Sequence, residues 1–205
     1  MRRFRTLVLS LTCALLPFAQ VSSADQPEGV PARWKPVEIR YSYTAFTTAY
    51  ECDAFESKLR RILIALGSHP NTKVQASGCT ANRIARNFFV TVTTATPVPA
   101  TDEVSSADKS RQELLRKLGV ADASMSAPFT ATWEEIDLSA NRRLDLQPGD
   151  CELMEGLRDY VLPKLSLTVV DDKVRCIPKQ LDILTPKLVV SALVPSDIDE
   201  REARP

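Results

Sequence analysis

Four cysteines set the strongest limit on what this chain can fold into. Glu51-Cys52-Asp53-Ala54-Phe55-Glu56 opens an amphipathic stretch that closes at Cys79, and Asp150-Cys151-Glu152-Leu153-Met154-Glu155 opens another that closes at Cys176. The two spacings are nearly equal, so the chain reads as one cysteine-framed unit used twice. Four thiols allow three pairings. The likeness of the units selects Cys52–Cys79 and Cys151–Cys176, each tying a helix start to the strand that follows. Closing a loop of this size stabilises a fold by ~3 kcal/mol in the chain-entropy treatment. Cys52 and Cys151 sit near helix N-termini and are the residues a thiol chemistry would use. However, the chain has no Cys-x-x-Cys pair, and the four cysteines lack the close spacing of structural zinc. They are expected to be structural disulfides, with no metal and no cofactor.

The fifth cysteine, Cys13, lies in a leader. Arg2, Arg3 and Arg5 precede an apolar run from Leu7 to Phe18, and Val21-Ser22-Ser23-Ala24 ends in small residues. This is the pattern of a secretory signal peptide over residues 1–24. The apolar run is shorter than the roughly 20 residues a bilayer span needs. Thr12 before Cys13 does not fit a lipid-attachment site. No later stretch is long and apolar enough to span a membrane, so a periplasmic or secreted protein is expected. An oxidising compartment also suits paired thiols. Without the three leader arginines the 26 basic residues fall to 23 against 26 acidic, a net charge of −3. That balance does not suit a nucleic-acid binder.

Residues 25–36 are proline-rich and read as an extended lead-in. Val37 to Thr44 alternates, with Val37, Ile39, Tyr41 and Tyr43 on one face, as a half-buried strand does; the tyrosines are assigned to core packing. From Cys52 to Leu66, Phe55, Leu59, Ile62, Leu63 and Leu66 form one stripe of a helix, and Gly67 stops it. Thr72 to Cys79 and Phe88 to Thr96 read as strands, and Pro97-Val98-Pro99 ends the first unit. A linker over residues 100–127 holds a helix from about Ser106 to Leu118, stopped by Gly119. In the next strand Phe129, Ala131 and Trp133 alternate inward while Ile136 and Leu138 fall on the other parity, which predicts a β-bulge near Glu134-Glu135.

Asp150 then reads as an N-cap. Aligning Cys151 on Cys52 sets Met154 on Phe55, Val161 on Ile62, Leu162 on Leu63 and Leu165 on Leu66. Pro163 replaces Ile64, so the second helix is expected to kink or end there. Thr168 to Cys176 corresponds to the strand ending at Cys79. Lys187 to Val194, apolar on both faces, reads as a central strand. Residues 196–205 are charged and read as a disordered tail. The fold class is therefore α+β: two related β-α-β-β units over 37–99 and 128–195, plus a connecting helix and strand. The sheet is mainly antiparallel, with helices packed on it and one disulfide per unit. The β-α-β-β start is that of a split βαβ arrangement.

Catalytic residue types are scarce. His69 is the only histidine. It occupies a Ser-His-Pro-Asn turn and reads as solvent-exposed. Neither a Gly-x-Ser-x-Gly elbow nor a phosphate-binding glycine loop occurs. Paired acids exist at Glu134, Glu135, Asp171 and Asp172, and two carboxylates ~5 to 10 Å apart suffice for glycoside hydrolysis. These four are the candidates for a carboxylate-dependent hydrolase of envelope polysaccharide. Lys58, Arg60 and Arg61 read as surface residues, with Glu56 pairing Arg60. The leading expectation is a non-enzymatic protein that binds a protein or other envelope macromolecule, in an accessory, inhibitory or immunity-like role.

Overall fold

The computed structural model describes residues 29–79, 84–100, 109–181 and 183–196. The leader, residues 25–28 of the lead-in and residues 197–205 of the charged tail lie outside this range, while residues 30–36 of the lead-in are the start of the first strand. The chain runs β1 (Val30–Thr44), β2 (Tyr50–Glu51), α1 (Cys52–Ala65), β3 (Lys73–Ser77), β4 (Ile84–Ala85) and β5 (Asn87–Pro99) in its first half. It continues with α2 (Lys109–Leu118), α3 (Asp122–Ser126), β6 (Phe129–Asp137), α4 (Cys151–Gly156), β7 (Thr168–Lys173) and β8 (Lys187–Pro195). Six strands form one antiparallel-paired sheet in the order β3-β5-β1-β6-β8-β7, and β2 pairs β4 separately.

Each half has the same internal order. β5 inserts between β1 and β3, and β8 between β6 and β7, so the two strands joined through a helix run parallel with an antiparallel strand between them. This is the split βαβ arrangement. The halves meet at a short antiparallel seam, Val30 to Ala32 against Phe129 to Ala131. Beside it, the Ser196 N–H donates to the Thr130 carbonyl at 3.1 Å. The structure is thus α+β, with the disulfides Cys52–Cys79 and Cys151–Cys176 in different halves.

Strand alternation sorts the residues onto two faces. Ile39, Tyr41, Tyr43, Phe88, Val90 and Val92 turn toward one core, where the apolar stripes of α1 and α4 meet them together with Leu188 and Val190. Phe55 and Met154, Ile62 and Val161, and Leu63 and Leu162 are all buried in this core. On the other face, Trp34 and Ala95 are covered by Leu115 and Leu118 of α2 and Met125 of α3. Among the described residues, no other helix packs on that second face.

Several local expectations change. No bulge interrupts β6, whose register with β8 is continuous from Ala131 to Asp137. Its parity changes because the strand passes from one core to the other: Phe129 and Ala131 pack on the Trp34 side, whereas Ile136 and Leu138 pack with α1 and α4. Between them Trp133 is left 47% exposed rather than turned inward. The bulge falls in β7, between Val169 and Asp171, and β7 stops at Lys173, short of Cys176. β5 continues through Pro97 to Pro99 because, among the described strands, it pairs there with β1 alone, so a missing N–H is tolerated. The second helix leaves α geometry before Pro163, through a π turn over Leu157–Val161 and a 3₁₀ turn over Leu162–Lys164 with proline in its first turn. His69 is half-buried: its ring meets Trp34 edge-on at 4.9 Å, and desolvation lowers its pKa.

Gly67 ends α1 in a Schellman turn, with Ser68 N–H on Leu63 O (3.0 Å) and Gly67 N–H on Ile64 O (2.9 Å). Its φ is +81°, and a Cβ there would stand 2.7 Å from the Leu193 carbonyl oxygen and 3.3 Å from Val194 Cα. Both obstacles are backbone, so neither can swing aside. Gly67→Ala combines left-handed strain with this clash and is expected to cost about 2 kcal/mol or more. An unchanged urea midpoint would refute the close approach.

Candidate functional site

The four acids singled out by sequence occupy the outer strands of the second half. Glu134 and Glu135 are consecutive on β6, so they project to opposite faces; both are exposed, and Glu134 accepts a hydrogen bond from the Thr132 hydroxyl at 3.3 Å. Asp171 and Asp172 are likewise consecutive near the end of β7. Glu135 and Asp171 share a face, but β8 lies between them, and the strand geometry puts their Cα atoms about 12 Å apart. Asp171 is engaged by Lys187 at 3.1 Å and Lys173 at 3.4 Å, and the Lys187 ammonium holds its carboxyl below the usual range. Asp172 accepts from the Val174 N–H at 2.9 Å. The four therefore form two adjacent pairs rather than one facing pair.

Two other acids, which sequence reading treated as helix-start residues, form the buried polar joint of the molecule. Asp150 is 3% exposed and Glu152 is 7% exposed. Asp150 stands at the N-cap of α4, as expected, but its side chain accepts no hydrogen bond from that helix. Instead it accepts from the Tyr50 hydroxyl, from Lys58 Nζ at 2.8 and 3.0 Å, and from the Gln147 N–H at 2.7 Å. Glu152 Oε1 accepts from the N–H groups of Phe46 and Thr47 at 2.9 and 2.8 Å, and Oε2 accepts from Thr48 N–H at 3.3 Å. Burial and the hydrogen bond to Asp150 push the Tyr50 phenol far above its ordinary pKa, so it remains a proton donor. Both carboxylates belong to the second half, and Tyr50, Lys58 and the 46–48 backbone belong to the first. With the lone pairs occupied by fixed donors, the arrangement positions the halves and leaves no open acid to react.

The surface-pair expectation for Arg60 also fails. Its guanidinium donates to the carbonyls of Thr72 (2.9 Å) and Pro70 (2.6 Å), while Glu56 accepts the outward N–H of Ala76 at 2.6 Å on edge strand β3. The expected Glu56–Arg60 pair is replaced by two links that tie α1 to its following strand.

Four exposed apolar side chains, including the two most exposed among the described residues, lie on the loop between β7 and β8. Ile183 is 94% exposed and Leu184 79%, with Leu181 and Ile177 also more than half open. The loop is anchored at its base by Cys176 to Cys151 and by the register pair Lys173 and Lys187. The aliphatic sequence was visible, but it carries no motif. Only its exposure among the described residues distinguishes it from core.

Among the described residues no helix is long and apolar enough to cross a membrane, and no group of three or more His, Cys, Asp or Glu is arranged to hold a metal ion. The disulfides are those of a chain folding under oxidising, extracellular-type conditions. Neither a family model nor a curated protein nor a solved structure matches this chain.

Proposed function

We propose that this is an exported, non-catalytic binding protein that docks a partner protein of the cell envelope through the β7–β8 loop. The observation carrying this reading is the cluster Ile177, Leu181, Ile183 and Leu184, left uncovered at the end of a disulfide-fixed strand pair. Exposed apolar side chains gathered on one element characterise interaction sites. Anchoring the loop at both strands and at Cys176 reduces the ordering entropy lost on association. The matched strand order of the halves, with Phe55 and Met154 equivalently buried, supports duplication of one unit as the origin of the scaffold.

The test is site-specific photocrosslinking in the native compartment. A crosslinker at position 183 is expected to capture one protein, whereas one at exposed Arg116 is not. The double variant Ile183→Asp/Leu184→Asp should abolish capture through a crosslinker at Leu181 while leaving the melting temperature within about 1–2 °C of the parent, because surface changes alter stability by less than ~0.5 kcal/mol. No adduct at 183, the same adducts at both positions, or transfer of the label to lipid would each overturn protein docking through this loop.

A further inference from the structure

On the face of the first half not covered by α1, strand register builds a three-rung polar shelf. Its first rung is Lys73, Thr93 and Glu38; its second is Gln75, Thr91 and Arg40; its third is Ser77, Phe89 and Ser42. The first two rungs and Lys117 of α2 line a recess of about 320 Å³. Phe89 stands on the third rung, about 7 Å along β5 from Thr91. It is 65% exposed in mid-strand, flanked by two serines too small to cover its ring.

The charges do not cancel. Among the described residues lining the recess, Arg40, Lys73 and Lys117 face a single carboxylate, Glu38, which takes Arg40 at 2.6 Å and also the Lys117 ammonium. Lys73 gives one of its three donors to the Lys117 carbonyl, which leaves two for a ligand. Arg40 has further guanidinium donors in an exposed position. Thr91, Thr93 and Gln75 add neutral groups that can both give and accept hydrogen bonds. Excess cation, a row of hydroxyl and amide groups and an uncovered aromatic ring are the complements of carboxylate, sugar hydroxyls and the apolar face of a pyranose.

We propose that this shelf binds an acidic saccharide, with Phe89 stacking on a sugar ring and Lys73 and Arg40 meeting its carboxylate. The site is separate from the β7–β8 loop, which lies in the other half of the sheet, and does not rest on the docking role of that loop.

Calorimetric titration of the full chain with hexagalacturonate, maltohexaose and inorganic phosphate tests it. Hexagalacturonate is expected to bind at least about ten-fold more tightly than maltohexaose, and to weaken as salt rises. Phe89→Ala and Lys73→Ala should each weaken it by about five-fold, with melting temperatures unchanged because both side chains are exposed. Ile183→Asp should bind it like the parent. No binding of hexagalacturonate, equal binding of maltohexaose, competition by phosphate at matched concentration, or parental affinity in Phe89→Ala would overturn the proposal.

Discussion

Lys58→Met is expected to lower the melting temperature by about 6–12 °C, corresponding to ~3 kcal/mol. The size of the effect comes from what remains. Asp150 is buried, and without the ammonium its two oxygens keep only the Tyr50 hydroxyl and the Gln147 N–H. A buried charge stripped of its partner costs more than the pair contributed when intact. Asp150→Asn places an amide N–H₂ where only donors face it, so it should be comparably damaging. The informative measurement is the double-mutant cycle: Lys58→Met/Asp150→Asn should fall short of the sum of the singles by about 1–3 kcal/mol, since both remove one interaction. Additive singles, or singles that melt with the parent, would show that the joint between the halves carries no coupling.

Removing the second disulfide by Cys151→Ala/Cys176→Ala should cost a similar ~3 kcal/mol, through loop closure in the unfolded chain, and lower the melting temperature by about 6–12 °C. It should also do something that Cys52→Ala/Cys79→Ala does not. Cys176 is where the apolar loop is fixed to α4, so its loss frees the proposed docking element as well as destabilising the fold. Capture by a crosslinker at position 183 should therefore fall with the second bridge removed and persist with the first removed, both assayed well below their melting temperatures. Equal losses in the two variants would tie capture to stability alone. Thiol titration of the parent should find the four cysteines unreactive until the protein is reduced.

The elements most legible in the sequence are those whose pattern is carried by one continuous segment. α1 is written in the spacing of Phe55, Leu59, Ile62 and Leu63, and the alternation of β1 in Ile39, Tyr41 and Tyr43; both face the same core. The disulfide pairing followed from comparing two such segments. β6 misled because alternation reports a single buried face, and this strand buries one face at its start and the other at its end. Asp150 misled because an acid before a helix has a local role that explains it fully, whereas its actual partners lie about a hundred residues away. The shelf was not legible for the same reason: Lys73, Thr93 and Glu38 become neighbours only once β3, β5 and β1 are in register. Lys58 reads as a surface residue in the sequence for the same reason: its partner, Asp150, comes from the other half of the molecule.

The seam where β1 meets β6 also decides how the molecule can be held. Val30 pairs with Ala131 there, and Ser196 bonds Thr130 next to it, so the start of β1 and the end of β8 stand side by side. β8 runs from that point to Lys187, and its nine residues put the apolar loop about 27 Å away. The seam and the apolar loop therefore stand at opposite ends of β8. Attachment through residue 196 should accordingly immobilise the protein with its apolar loop free.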